Sequence, residues 1–514
     1  MTGQASAVPP EPSTSRSGQI PIGWSILVNA LSVIIATAAS YVTLPLSLHR
    51  LGPSTYGAWL LLNSAIAFIP LLQAGLPTAA ASVLSRGVDA THRVNPADAG
   101  AARAVFLASG AVILVLSAMA GIAYAYLIPP PGTHPDELAL ASLCIALSLG
   151  LGMAQESEEA LAVTYERHLT RSALVSGLSG LRVAALAVAL TVAPTLLNVA
   201  LAQLFVAIVA YGSFLAIGRR LVATPWRMIR WPSRPWLMAL FTDSWYVLLV
   251  TIGAQVTSQV TTLVLGSRFG AAAVPAFSVP MVLGSLALSL SAAVSAALLP
   301  RVSRLVVQGA HDAAETLTVL LFRLLVVLGL VLAFALLAYG DSLLAWWISP
   351  AFAREAHPFL APVALSFVLF LPVRSVLFPF ELGRGSARLI SWSFALVSLT
   401  AAGLILLTPA RFGAPALAWV SAMAMVLYSI GMVVRLGRTV LFGSPAAQIR
   451  FWMAWVAALS AGTFVAERLH ERATGRFLTD LPVAIGSSLL LTGILLILFL
   501  GQHARQLMRA PALR

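Results

Sequence analysis

The chain has 514 residues, of which 59% are hydrophobic and 10% charged, and its mean hydropathy is +0.91. Soluble domains keep roughly a quarter of their residues charged, so the composition excludes a water-soluble globular protein. The 31 basic residues, all arginine, outnumber the 18 acidic ones and give a net charge of +13; in a membrane chain the first question is which loops carry that excess.

Residues 1–19, MTGQASAVPPEPSTSRSGQ, are rich in proline and serine and have no apolar core. They read as a disordered tail, with no cleavable signal peptide ahead of the first span. Apolar runs then predict helices near 22–47, 56–84, 102–127, 137–165, 172–193, 196–218, 237–266, 274–303, 314–339, 358–382, 388–408, 413–435, 450–467 and 482–502. At about 1.5 Å per residue such runs cross a hydrocarbon core about 30 Å thick. Backbone polar groups in lipid must be satisfied within the segment, and the alternating segments of about 10 residues that mark a barrel are absent. The expected fold class is therefore an all-α polytopic membrane protein with about 14 transmembrane helices. With the N-terminus in the cytoplasm, the inner segments hold 21 arginines, Arg103 among them, and the outer segments 7, which puts both termini inside. The single cysteine, Cys144, excludes an intramolecular disulfide.

The turn HRLGPSTYGAW at 49–59 returns as SRFGAAAVPAF at 267–277, aligning Arg50 with Arg268 and Gly52 with Gly270. Ser85-Arg86 recurs as Ser303-Arg304, Tyr165-Glu166 as Phe380-Glu381, Pro194 as Pro409 and Arg219 as Arg435, at offsets of 215 to 218. A repeat of six helices returns the chain to its starting side, so two parallel six-helix bundles related by a pseudo-twofold along the membrane normal are expected, plus two C-terminal helices. The expected domains are an N-terminal bundle at 20–218, a basic cytoplasmic linker at 219–236, a C-terminal bundle at 237–440, and two additional helices with a cytoplasmic tail at 441–514. The linker interleaves arginines with Trp226, Trp231 and Trp236, which suits an anionic leaflet and not nucleic acid.

Residues 44–86, LPLSLHRLGPSTYGAWLLLNSAIAFIPLLQAGLPTAAASVLSR, resemble the opening helices of the multidrug/oligosaccharidyl-lipid/polysaccharide (MOP) exporter superfamily, particularly its Wzx-type polysaccharide flippases. Residues 382–422, LGRGSARLISWSFALVSLTAAGLILLTPARFGAPALAWVSA, are similar to that family's tenth-to-twelfth helix pattern. The resemblance implies a V-shaped pair of six-helix bundles, often followed by two extra helices. It further implies alternating-access transfer of an undecaprenyl-pyrophosphate-linked glycan from the cytoplasmic to the outer leaflet of a bacterial inner membrane. The implied partners are that lipid-linked glycan, the lipid bilayer, and a polysaccharide polymerase or glycosyltransferases. Family members often carry an acidic residue just before the glycine of the second helix; here it is Gln73, so an ion-coupling role assigned to that carboxylate does not carry over.

No P-loop, catalytic triad or metal-ligand spacing appears, so no cofactor, no metal and no enzymatic activity are expected. One alternative is a cation-coupled multidrug antiporter of the same superfamily. Another is a membrane glycosyltransferase or ligase, for which the outer segment PPPGTHPDE at 129–137 leaves no room.

Ionisable groups inside spans are the functional candidates. The fourth span carries Glu156, Glu158 and Glu159, and the fifth carries Arg182. Glu156 and Arg182 stand at similar distances from the tight turn near 166–171, which predicts one depth and an ion pair across the hairpin. Glu158 points about 100° away from Glu159, toward another helix or a water path. Three carboxylates against one arginine call for protonation, a cation or a further arginine. At the repeat offset of 215, Glu159 corresponds to Arg374 in the tenth span, so the two are expected to face each other across the seam. A diphosphate needs a cationic patch inside the bilayer, and guanidinium supplies bidentate donors that stay charged. Arg374, Arg182 and Arg323 are the substrate-binding candidates, and Glu156, Glu158 and Glu159 the coupling or ion-pair candidates. Beside these stand blander readings: Arg182 as a structural partner of the glutamates, Arg323 snorkelling to the surface, Asp243 and Glu381 at the interface, and Arg50 and Arg268 as headgroup anchors.

Overall fold

The structure, a computed structural model, describes residues 22–70, 94–130, 133–165, 167–222, 229–442, 444–472 and 477–507, with residues 76, 77, 80, 83 and 84 in addition. Its helices are α1 (Ile22–Ile66), α2 (Pro96–Leu127), α3 (Pro135–Thr164), α4 (His168–Val192), α5 (Leu196–Leu221), α6 (Arg234–Phe269), α7 (Val274–Val307), α8 (His311–Trp347), α9 (Pro350–Pro372), α10 (Phe378–Gly383), α11 (Arg388–Leu407), α12 (Ala414–Leu436), α13 (Pro445–Arg472) and α14 (Phe477–Leu507). Among the described residues, 12 helices are long and apolar enough to cross a membrane. They correspond one to one with the predicted spans from 102–127 onward, and the chain is an all-α polytopic membrane protein. The first two predicted spans share α1, which bends at Gly52. Most of the second span past residue 70 lies outside the described residues.

Short polar signals start the helices. Asn95 Oδ1 accepts from Ala97 N at 2.9 Å, Pro96 follows at the first helical position and Asp98 sits in the first turn, so α2 begins well before Arg103. Ser349 caps α9 in the same way, accepting from Phe352 N at 3.1 Å ahead of Pro350. Pro372 ends α9 with a π-helical turn, Val373–Leu377, that leads into α10. Of the apolar window of α9–α10, 83% is buried, against 6% in α14. The α9–α10 rod is thus the core of its half, and α14 lies at the periphery.

Helix pairing repeats. In the first half α2 packs on α3, α3 on α5, α1 on α4 and α4 on α5; in the second α8 packs on α9, α9 on α12, α6 on α11 and α11 on α12. These are the same pairs at the spacing of the sequence echo. The glycines at the centre of that echo also share one backbone conformation, φ 76° and ψ 164° at Gly52, φ 87° and ψ 158° at Gly270. That left-handed region strains any residue with a Cβ. Helices α13 and α14 pack on α8, outside the repeated set.

The two halves meet through α1, which packs on α6, α7 and the 3-10 turn Ala271–Ala273. Tyr41 stacks on Trp347 with ring centroids 5.2 Å apart, donates its hydroxyl to Val282 O at 3.1 Å, and accepts at its own carbonyl from Trp347 Nε1 at 3.1 Å. Leu44 and Leu48 join Val279, Leu344 and Phe352 in one apolar cluster, and Leu61 joins Leu265, Ala271 and Val274 in another. Nearest of all is Gly57, where a Cβ would overlap the carbonyl oxygen of Ala271. The seam is therefore closed at the end where Gly52 and Gly270 bend. At the opposite end Trp236, Leu237 and Leu240, which open α6, pack among Leu84, Val94 and Val105.

Arg268, expected as a headgroup anchor, is exposed in the last turn of α6. It donates to the carbonyls of Leu406 and Thr408, groups at the end of α11 that have no partner within the helix. The substitution Gly57→Ala is expected to lower the unfolding temperature in detergent, since overpacking costs about 1–3 kcal/mol. Gly431→Ala, whose Cβ meets nothing within 4 Å, should leave that temperature unchanged or raise it.

Candidate functional site

The charges of the first half are organised by three helices in close contact. At the α2–α3 crossing a Cβ on Gly110 would come within 2.6 Å of Gly150 O, so only glycine allows that approach. It brings Arg103, two turns into α2, against Glu158 of α3. The pair is bidentate, with Nε donating to Oε1 at 2.7 Å and an Nη to Oε2 at 2.8 Å. Both residues are buried, 5% and 2% exposed. On α5, Gly218 leaves the space the carboxylate fills, because a Cβ there would overlap Glu158 Oε2. A pocket of about 20 Å³ beside the pair, room for about one water, is lined by Ser157, Tyr211, Arg219 and Ile229. Charge, hydrogen bonds and shape all match here, which is the condition for a buried ion pair to be tolerated.

Glu158 does face another helix, as its angle to Glu159 predicts, but its partner is Arg103 and not Arg182. Arg182 lies exposed on α4. The predicted hairpin pairing fails because α3 packs mainly on α2 and α5, whereas α4 packs mainly on α1 and α5. Equal depth along the two helices therefore does not produce contact. Glu159 takes Arg171, whose Nε donates to Oε1 at 2.6 Å across the α3–α4 turn. Glu156 lies in electrostatic range of both Glu159 and Arg171. The expectation that Glu159 faces Arg374 across the seam is not met, since a partner 12 residues along the chain satisfies it first.

In the second half Arg374 sits in the π turn. It is the one residue of 366–381 that is not fully buried. Its guanidinium lies 5.3 Å from the centroid of the Phe378 ring, and among the described residues it has no carboxylate partner. Beside it Ser375 shares a 2.7 Å hydroxyl contact with Ser291 and accepts at its carbonyl from Ser295 Oγ at 2.7 Å. A cation and a serine-lined polar strip thus share the middle of α9–α10 and α7. Arg323 Nη1 donates to Phe499 O at 3.0 Å and ties α8 to α14. Glu381, in α10, is buried and accepts from Ser386 Oγ at 3.1 Å. Gln73 and the side chain of Asp243 lie outside the described residues.

Arg103 is the residue the sequence reading misplaced, by counting it with a cytoplasmic segment. The signal that locates it is the run Asn95-Pro96-Ala97-Asp98, a helix start that sets Arg103 inside the span. Replacing Glu158 with alanine leaves a buried guanidinium unanswered and should destabilise the protein by about 3–5 kcal/mol. The double variant R103M/E158L should recover most of that loss in a denaturant titration.

No protein-family profile matches the sequence, and no curated protein matches it. Solved structures do match. A MATE-family multidrug resistance transporter of the MOP superfamily, in an inward-facing conformation, aligns with TM-score 0.62 and 13% identity over 87% of this chain and 100% of that one. The lipid II flippase MurJ, in an inward closed conformation, aligns with TM-score 0.68 and 11% identity over 93% of this chain and 99% of that one. A MOP-superfamily transporter from Pyrococcus furiosus, described as having a binding pocket of reverse polarity, aligns with TM-score 0.57 and 13% identity over 87% of this chain and 96% of that one. The bent glycine turns, the repeated helix pairing and these alignments agree: the chain has the fold of the MOP-superfamily transporters.

Proposed function

We propose that the chain is an alternating-access transporter that flips a diphosphate-linked glycolipid from the cytoplasmic to the outer leaflet of a bacterial inner membrane. The observation that carries this reading is Arg374, a guanidinium in the middle of the second half with no carboxylate beside it among the described residues. A lone charge at that depth is costly. An anionic substrate that enters and leaves the site is the partner that makes it functional, and a diphosphate offers the oxygens a guanidinium binds in pairs. In the first half, by contrast, Arg103 and Arg171 already hold carboxylates, which makes that half the poorer anion site.

Two further observations support a lipid-linked cargo. The alignment to the lipid II flippase spans more of the chain than the alignment to the multidrug transporter. The seam is closed at the Gly52 end, which the arginine distribution assigns to the outside, and α6 also packs on Leu84, Val94 and Val105 at the other end, so loading from the cytoplasmic leaflet would require that inner contact to part. Both termini then lie in the cytoplasm, and a polymerase or glycosyltransferases would act upstream and downstream. The half-buried cluster of Glu156, Glu159 and Arg171 favours a second reading, a cation-coupled drug antiporter.

The substitution Arg374→Ala should reduce glycolipid flipping in reconstituted vesicles by about 10- to 100-fold, the loss of a charged hydrogen bond of ~1.5–3 kcal/mol, with protein level unchanged. Arg374→Lys should retain part of the activity. Normal flipping by Arg374→Ala removes the residue from the site. Drug efflux that is lost in Glu156→Gln and kept in Arg374→Ala would establish the antiporter instead.

A further inference from the structure

At the Gly52 end of the molecule three side chains distant in sequence come together: Asp341 near the end of α8, His357 in the second turn of α9 and His470 in the last turn of α13. His357 Nδ1 lies 2.5 Å and His470 Nε2 3.6 Å from the same oxygen, Asp341 Oδ2. The two imidazoles are 5.6 Å apart between centroids. One nitrogen from each ring and one carboxylate oxygen all fall within 4.8 Å of one another. The other oxygen, Asp341 Oδ1, is buried and has no hydrogen-bond partner. Acceptor capacity is therefore left over at a site where every buried polar atom is expected to be answered.

Two neutral imidazoles and one carboxylate form a donor set that suits borderline divalent metals such as zinc and is poor for magnesium or calcium, which take oxygen. Ligand atoms about 2.0–2.1 Å from a tetrahedral zinc are separated by about 3.3 Å. The observed spacings bracket that value. The histidine side chains are 58% and 40% exposed, so small rotations can adjust them while the fourth position stays open to water. We propose that Asp341, His357 and His470 bind a zinc-like divalent cation that fastens α13 to α8 and α9.

The mechanical need for such a tie is visible in the packing. The apolar windows of α13 and α14 are only 22% and 6% buried, and the polar contacts that hold the pair among the described residues include Arg323 to Phe499 O, Ser342 Oγ to Asp480 Oδ2 at 3.2 Å, Tyr339 to Ser487 at 3.1 Å and Gln448 Nε2 to Val434 O at 3.3 Å. A cation joining three helices would act at the end opposite to the Arg323 contact. This inference is independent of what the chain transports.

The test uses the full-length chain without a polyhistidine tag, purified in detergent and stripped with a chelator. Zinc is titrated against a chromogenic chelator and unfolding is followed with and without it. The expected result is one zinc per chain, a rise in unfolding temperature on adding zinc, and no rise with magnesium. His357→Ala and His470→Ala, on exposed side chains that should not disturb folding, are each expected to weaken zinc binding at least roughly tenfold. The double variant H357A/H470A should lose the thermal response. Equal zinc uptake by the wild type and the double variant, or equal protection by magnesium, would overturn the assignment.

Discussion

Every charge placed within a lipid-spanning helix has to be answered by another group, and this constraint organises the molecule. The Arg103–Glu158 pair shows how much architecture one such answer requires. A guanidinium and a carboxylate can meet at full burial only if α2, α3 and α5 approach closely. That approach depends on Gly110 and Gly150 at one crossing and on Gly218 at the other. The pair and its glycines form one unit: a larger residue at any of the three would separate the charges, and loss of either charge would leave the close crossing holding an unmatched ion.

The backbone is duplicated but its charges are not. Helix pairs and glycine bends recur from one half to the other, yet the first half neutralises Arg103 and Arg171 with carboxylates while, among the described residues, the second leaves Arg374 without one. Within that repeated backbone, the difference in charge is what distinguishes the two halves.

Much of this was legible in the sequence because it depends on local properties. Span lengths follow from apolar runs, and the equivalence of Gly52 and Gly270 follows from a turn that only glycine enters freely. The direction of Glu158 follows from helical periodicity. What the sequence concealed was which helices become neighbours. Arg182 and Glu156 sit at matching distances from their shared turn, yet α5 takes the place on α3 that a simple hairpin would give to α4. Arg103 was hidden by a span boundary drawn at the hydrophobic edge instead of at the Asn95-Pro96 cap. Asp341, His357 and His470 are spread over about 130 residues with no local spacing to join them, and only the tertiary fold makes them a group.

The contact between Gly57 and Ala271 bears on what it takes to hold this end of the seam together. Most protein interfaces interlock side chains, and each closure then freezes rotamers that each opening releases. Here the nearest approach is main chain against main chain, with no side chain between. At this point of the seam the approach fixes no rotamer, whereas the Tyr41–Trp347 stack and the clusters around Leu44, Leu48 and Leu61 on either side of it do.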